Sequence, residues 1–176
     1  MIRRAFLEWG LMLLGLSRRA WAQGVRYAPL VRPVRIPLEN VAVPWRPVTF
    51  TAEATAPATA TTAGRRVLIS GALFRRPVPD DRRGAVGLSA LCLTCPHEQC
   101  RVDLISDPAQ LLKITGSADH HPVFECGCHF SVFDALNNGA RVAGETPRGL
   151  YRFRIARVDD GTVEIDEVEA DALSEV

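Results

Sequence analysis

Cys95-Pro96-His97-Glu98-Gln99-Cys100 and Cys126-Gly127-Cys128-His129-Phe130-Ser131 hold four of the chain's five cysteines and two of its four histidines. Each stretch offers one thiolate and one imidazole at close spacing, Cys-x-His in the first and Cys-x-x-His in the second, and each carries a further cysteine. That inventory makes two ligand pairs and one candidate disulfide. Two Cys and two His suit zinc as well as iron, and mixed ligation of a two-iron cluster places two thiolates on one iron and two imidazoles on the other. One pair per stretch fits that division. The competing reading is a zinc knuckle using Cys92-Leu93-Thr94-Cys95 as one half, although zinc pairs usually set Cys-x-x-Cys against His-x-x-x-His. A framework of disulfides alone leaves an odd cysteine and gives His97 and His129 no task.

The flanking sequence is written for strands. Val48-Thr49-Phe50, Arg66-Val67-Leu68-Ile69-Ser70 and Ala72-Leu73-Phe74 are β-rich, and Ala85 to Thr94 is an apolar run that delivers the first ligand loop. Beyond the second loop, Gly139 to Ala143 reads as a turn and short strand. Tyr151-Arg152-Phe153-Arg154-Ile155 alternates apolar with basic residues, Asp160-Gly161 is a hairpin turn, and Thr162 to Val168 alternates again. The pattern predicts an all-β, antiparallel fold, with one short helix over Pro108 to Lys113. Thr51 to Gly64, mostly Ala and Thr, reads as a loose hairpin loop, and Pro77 to Gly84 as a turn-rich connection. Cys92, between Leu91 and Leu93, is expected to be a buried free thiol. His120 and His121, beside Pro122, are expected to face solvent. The acids at 164, 166, 167, 169, 171 and 175 read as a solvated tail that could dock a basic cytochrome.

The chain divides in three. Residues 1–22 combine Arg3-Arg4, the apolar run Trp9 to Leu16 and an Ala20-Trp21-Ala22 cleavage pattern, which reads as an export signal resembling the twin-arginine type. A short uncleaved anchor is the alternative. A helix from Ala5 to Ser17 would reach only about 20 Å against a hydrocarbon core of about 30 Å, with Glu8 inside it. Residues 23–47 hold five prolines, at 29, 33, 37, 44 and 47, and read as a linker that contributes at most an edge strand. Residues 48–176 form the domain. Residues 1–22 carry four arginines and one glutamate, so the remaining 154 residues have a formal charge of -2 against +1 for the whole chain. Such a balance argues against nucleic acid as a partner. Export to the periplasmic side of the membrane is compatible with a lasting disulfide.

At the two cysteine loops the sequence resembles the Rieske iron–sulfur proteins, in particular the high-potential branch of cytochrome bc complexes and of the arsenite oxidase small subunit. In that family the loops run Cys-x-His-x-x-Cys and Cys-x-Cys-His-x-Ser, and both patterns stand here unbroken. The resemblance implies a [2Fe–2S] cluster whose inner iron is bound by Cys95 and Cys126 and whose outer iron is bound by His97 and His129. It also implies a Cys100–Cys128 disulfide and a Ser131 hydroxyl that donates to a cluster sulfur. Ser131 as an ordinary turn serine is the plain alternative. Gly144-Glu145-Thr146-Pro147-Arg148-Gly149-Leu150 resembles, more loosely, a family loop that covers the cluster, with Pro147 as its proline. The implied fold is a Rieske-type sandwich or barrel with a small cluster-binding subdomain.

Some positions depart from the family pattern. Twenty-eight residues separate His97 from Cys126, so 101–125 is an insertion. Phe130 stands where a glycine is usual, and Phe133 where a tyrosine often donates to a cysteine sulfur. What the resemblance implies for function is one-electron transfer as the iron–sulfur subunit of a bc-type quinol–cytochrome c oxidoreductase, where a histidine nitrogen of the cluster would accept a hydrogen bond from quinol. The alternatives are the small subunit of an arsenite-oxidase-like molybdenum enzyme, or a stand-alone exported carrier. An oxygenase component fits poorly, since the catalytic version needs a further mononuclear iron domain and the small ferredoxin version usually lacks the extra cysteines and the export signal. No substrate turnover is expected from this chain alone. The expected partners are cytochrome b or c subunits, or a molybdopterin subunit.

Overall fold

The computed structural model describes residues 24–58, 63–77 and 87–174. The export-signal reading at 1–22 falls outside them, as do residues 59–62 of the Ala/Thr loop, residues 78–84 of the turn-rich connection and Glu175. Among the described residues, no helix is long and apolar enough to cross a membrane.

The described residues form ten strands: β1 (Tyr27–Pro37), β2 (Val48–Ala56), β3 (Arg65–Arg75), β4 (Leu88–Cys92), β5 (Val102–Ile105), β6 (Val123–Cys126), β7 (Ser131–Asp134), β8 (Ala140–Ala143), β9 (Phe153–Asp159) and β10 (Thr162–Glu169). Six of them form one antiparallel sheet in the order β4-β3-β2-β1-β10-β9, and β5-β6-β7-β8 form a second. The larger sheet curls until its two edges meet. An antiparallel bridge joins Leu91 to Arg152, and the Cys92 N–H donates to the Tyr151 carbonyl at 2.8 Å. The result is a nearly closed barrel, and the all-β expectation holds.

Strand β3 shows why the barrel and the small sheet stay together. Its period of two sends Val67, Ile69 and Leu73 into the barrel core, while Ala72 and Phe74 point to the other side. Both faces are buried there, so Gly71-Ala72-Leu73-Phe74 is continuously apolar where a half-wet strand would alternate. Strand β4 repeats the device, with Leu88, Ala90 and Cys92 inside the barrel and Leu91 outside it. Cys92 is a fully buried free thiol, as expected, and its pKa is raised first by burial.

The small sheet is inserted between β4 and β9, so the chain leaves and re-enters the barrel at adjacent points. One face packs Val102, Phe124, Cys126 and Phe133 against the outer residues of β3 and β4. The other packs Val123 and Val132 under Leu111 of helix α1 (Pro108–Thr115). The helix starts where Asp107 accepts from the Gln110 N–H at 3.0 Å and Pro108 takes the first turn. It ends at left-handed Gly116. Insertion 101–125 therefore supplies β5, the helix and β6, and roofs the second face of the sheet.

Three expectations are corrected. Tyr27–Pro37 is no link or edge: β1 lies between β10 and β2. Proline tolerance comes from irregular pairing, because the register to β10 breaks between Pro29 and Val34 and β2 is met through a single partner pair, Leu30 with Ala54. Thr51–Ala56 belongs to β2 and is no loop, because it pairs residue by residue with residues 65–70 of β3; Ala52, Ala54 and Ala56 alternate into the core. Glu169 is no part of a wet tail. It is 1% exposed and bound by Arg148 and Arg152. The neighbouring acids do lie on the wet face of β10, where Arg35 and Arg157 hold Glu164, and Arg154 holds Asp166, below the usual carboxylate range.

Gly71 sits between two rings, Phe50 and Phe153, whose centroids are 5.0 Å apart. A Cβ at that position would lie 2.4 Å from Phe50 and 2.7 Å from Phe153. Gly71→Ala should therefore cost about 1–3 kcal/mol by overpacking, read as a lower denaturant midpoint at unchanged slope.

Candidate metal centre

The two cysteine loops have the same backbone construction. In the first, an antiparallel bridge joins Thr94 to Arg101, the Cys95 N–H donates to the Cys100 carbonyl at 2.8 Å, and the Gln99 N–H donates to the Cys95 carbonyl at 3.0 Å. In the second, Cys126 pairs with Ser131 across the β6–β7 ladder and the Phe130 N–H donates to the Cys126 carbonyl at 2.9 Å. Each loop is a hairpin of six residues from its first cysteine to its last residue, and the fifth residue is left-handed: φ is 59° at Gln99 and 53° at Phe130. Glycine would take that conformation without strain. The glycine usual at 130 thus has a physical basis, and Phe130 meets the position with a strained backbone and a 71% exposed ring.

The tips of the hairpins meet. Cys100 and Cys128 form a disulfide with Cα atoms 6.4 Å apart. Cys95 and Cys126, each 1% exposed, bring their sulfurs together beneath it. Burial pushes the Cys95 thiol up, the His97 amide pulls it down, the adjacent Cys126 sulfur pushes it up again and the Glu98 amide pulls down; the net direction is upward. A coordinated metal cation would deprotonate such thiols outright. Further out, the His97 and His129 rings lie 4.8 Å apart, edge to face, with His97 half-buried and His129 exposed. Their nitrogens and the Glu98 carboxylate lie within 4.8 Å of one another, with His129 Nε2 and Glu98 Oε2 separated by 3.8 Å. Cys100, Cys126 and Cys128 also cluster within 4.8 Å, but the disulfide occupies two of those sulfurs, so Cys95 is the partner that leaves Cys126 in a two-thiol pair.

Two polar atoms in this region are buried with no hydrogen-bond partner among the described residues: His97 Nδ1 and Ser131 Oγ. Orphans of this kind cost about 1–3 kcal/mol each unless something satisfies them. Ser131 stands opposite Cys126 in the ladder, on the same face of β7 as Phe133, which pairs with Phe124. A turn serine would be wet; this one is fully buried.

Pro147 is exposed, and the loop reaches the site through Gly144, where a Cβ would fall 2.4 Å from Ser131 Cα. Cys92 lies in the barrel core while Cys95 lies in the core of the small sheet, so the Cys92/Cys95 knuckle half does not assemble. His121 is not a solvent residue. Its Nε2 lies 2.6 Å from Asp134 Oδ1 and its ring stacks on Trp45 with centroids 6.3 Å apart, because the insertion folds back onto the β7–β8 turn. His120, also half-buried, has its Nδ1 2.7 Å from the His121 carbonyl. Glu98 and Gly144 carry no sequence signal of their place in the site: an acid beside a histidine is common in loops, and nothing in a single glycine signals which side chain it backs.

No protein-family model matches the chain, and no curated protein matches it in sequence.

The disulfide closes a loop over a separation of 28 residues. Cys100→Ser should therefore lower stability by about 3–4 kcal/mol on chain-entropy grounds, with the transition measured on protein that keeps any bound metal. Mass spectrometry without prior reduction should find Cys92, Cys95 and Cys126, but not Cys100 or Cys128, open to alkylation after unfolding and metal removal.

Proposed function

We propose that the chain is a Rieske-type one-electron carrier, with Cys95 and Cys126 on the inner iron, His97 and His129 on the outer iron, and Cys100–Cys128 as the clamp between the two loops. The carrying observation is the pair of buried orphans, His97 Nδ1 and Ser131 Oγ, flanking a buried pair of thiols. A metal at the imidazole and an acceptor sulfur at the hydroxyl would satisfy both atoms. The donor set fits the group: two thiols inside, two imidazoles outside, one of each from either loop.

When bound, a mixed-ligand two-iron cluster accepts and returns one electron at roughly -150 to +300 mV. The residues of the chain set the terms of that exchange. Cys95 and Cys126 keep water from the inner side. The His97 and Glu98 amides face the Cys95 sulfur and favour negative charge there. The Ser131 hydroxyl would act in the same sense, and hydrogen bonds to sulfur raise the potential. His129 turns Nε2 toward the surface, beside Glu98, where a donor's hydroxyl could bond to it. On this reading the partner is a bc-type complex that supplies electrons from quinol and passes them to a cytochrome, the chain acting from the outer side of the membrane.

Cys126→Ser or His97→Ala should lose iron and acid-labile sulfide together, because each removes a ligand with no substitute at that position; full content of both in either variant would refute the assignment. The reduced wild-type protein should give the paramagnetic signal of a mixed-ligand two-iron cluster, where zinc would give none. Ser131→Ala should lower the midpoint potential. A hydrogen bond to a charged acceptor is worth about 1.5–3 kcal/mol at most, and 1 kcal/mol is about 43 mV for one electron, so the shift measured by protein-film voltammetry lies between tens of millivolts and about a hundred. Loss of quinol oxidation by the membrane fraction on deletion of the chain supports the bc-type partner. Unchanged quinol oxidation with loss of a molybdenum enzyme's activity would replace that partner by the arsenite-oxidase-like one.

A further inference from the structure

We propose that Glu169 is a positioning residue for Ser131, acting through Arg148 and the loop 144–150. The loop part of this inference stands alone; the effect on a potential rests on the cluster reading above.

Glu169 closes β10 at 1% exposure, where an isolated carboxylate would be costly. Both of its oxygens are taken, Oε1 by Arg152 Nε and Oε2 by Arg148 Nη2. Arg152 belongs to the barrel seam. Arg148 does not: it is part of the loop between β8 and β9, and it lies on the Tyr151 ring at 4.3 Å. The carboxylate thus ties the loop to the end of a barrel strand. Breaking such a buried pair from one side leaves the other charge poorly compensated.

At its far end the loop is also held by buried Leu150, whose N–H donates to the Gly139 carbonyl at 2.9 Å, and Arg148 Nη1 lies 3.5 Å from the exposed Asp171; between Gly144 and Arg148 side-chain bonds set its shape. No strand ladder runs through 144–150; the Thr146 hydroxyl donates to the Arg148 carbonyl at 2.9 Å, and Arg141 Nη1 donates to the Thr146 carbonyl at 2.9 Å. Arg148 is therefore the point from which side-chain bonds carry order back toward Gly144. There the backbone, at φ 94°, presses on Ser131 so closely that a Cβ would lie 2.6 Å from Oγ. Gly144 forms one wall of the space in which the Ser131 hydroxyl can turn. A loop that slackens at Arg148 moves that wall, and the hydroxyl loses its aim.

A merely structural ion cluster and a positioning one differ in a measurable way. In the full-length purified protein, Glu169→Gln should speed hydrogen exchange at the amides of the loop and of Ser131 by at least about tenfold while β2 and β3 amides stay as in wild type. It should also lower the midpoint potential, the direction given by Ser131→Ala, although removing a negative charge by itself would raise it. In a Ser131→Ala background the same substitution should no longer lower the potential, since the group it positions is gone. If Glu169→Gln does not fold, Arg148→Met carries the test, because it leaves Glu169 paired with Arg152. Unchanged loop exchange, a raised potential, or an equal shift in both backgrounds would overturn the proposal. A protein that binds no two-iron cluster would instead sink the cluster reading, and the exchange comparison at the loop and Ser131 would still decide whether Glu169 holds them.

Discussion

Two thiols from separate hairpins, Cys95 and Cys126, are brought into contact and buried together, and much of the surrounding structure follows from that requirement. Both hairpins must be rigid, must point the same way, and must be held tip to tip. Rigidity comes from closing each loop by backbone hydrogen bonds at its base and an internal bond to the carbonyl of the first cysteine. Direction comes from β5, β6 and β7 lying in one small sheet, so the arms of the loops share its face. The tip-to-tip constraint is covalent, through Cys100 and Cys128.

The sheet of four short strands buries both of its faces, one on the barrel and one under the helix. It gains its stiffness by borrowing the barrel. Strands β3 and β4 are buried on both faces, and the residues that fail to point into the barrel, Ala72, Phe74 and Leu91, are the floor on which Phe124 and Phe133 rest. The cost of that arrangement is visible in composition. A two-faced strand cannot show apolar–polar alternation, and Gly71 must stay without a side chain to let the Phe50 and Phe153 rings close. The insertion 101–125 finishes the job from the other side, since Val123 and Val132 would be wet without Leu111.

The strand stretches at 48–50, 66–74, 151–155 and 162–168, the helix at Pro108 and the turn at Asp160-Gly161 are legible, because each has a local signature: β-rich runs, alternation, a proline at the helix start, an Asp-Gly pair; β5, β6 and β7 are four residues each and too short to show a period. What was not legible depends on partners distant in sequence. The prolines of β1 argue for an edge in isolation, and only the break in register opposite β10 shows how an interior strand carries them. Ala52, Ala54 and Ala56 look featureless until the barrel core they fill is known. Glu169 stands in an acidic run and reads as one more exposed acid, yet the arginines that bury it are 17 and 21 residues away in sequence. His121 was misread for the same reason, its Asp134 and Trp45 partners lying on other elements.

The left-handed residues at the fifth position of each loop carry the last step. Gln99 and Phe130 both sit where glycine would relieve strain, at a cost to an L-residue of roughly 1–2 kcal/mol. A glycine there would also widen the range of conformations open to the loop, and its larger entropy loss on folding takes back about 0.5–1 kcal/mol of that relief. Side chains at 99 and 130 therefore cost little and narrow the choices of the loop. In the first loop the narrowing holds two amides, those of His97 and Glu98, against the Cys95 sulfur. In the second it sets a large ring at the surface next to His129, with nothing among the described residues covering most of it. The same local strain thus does two things: it fixes the inner electrostatics at one hairpin, and at the other it shapes the face that the proposed electron carrier would turn toward its partner.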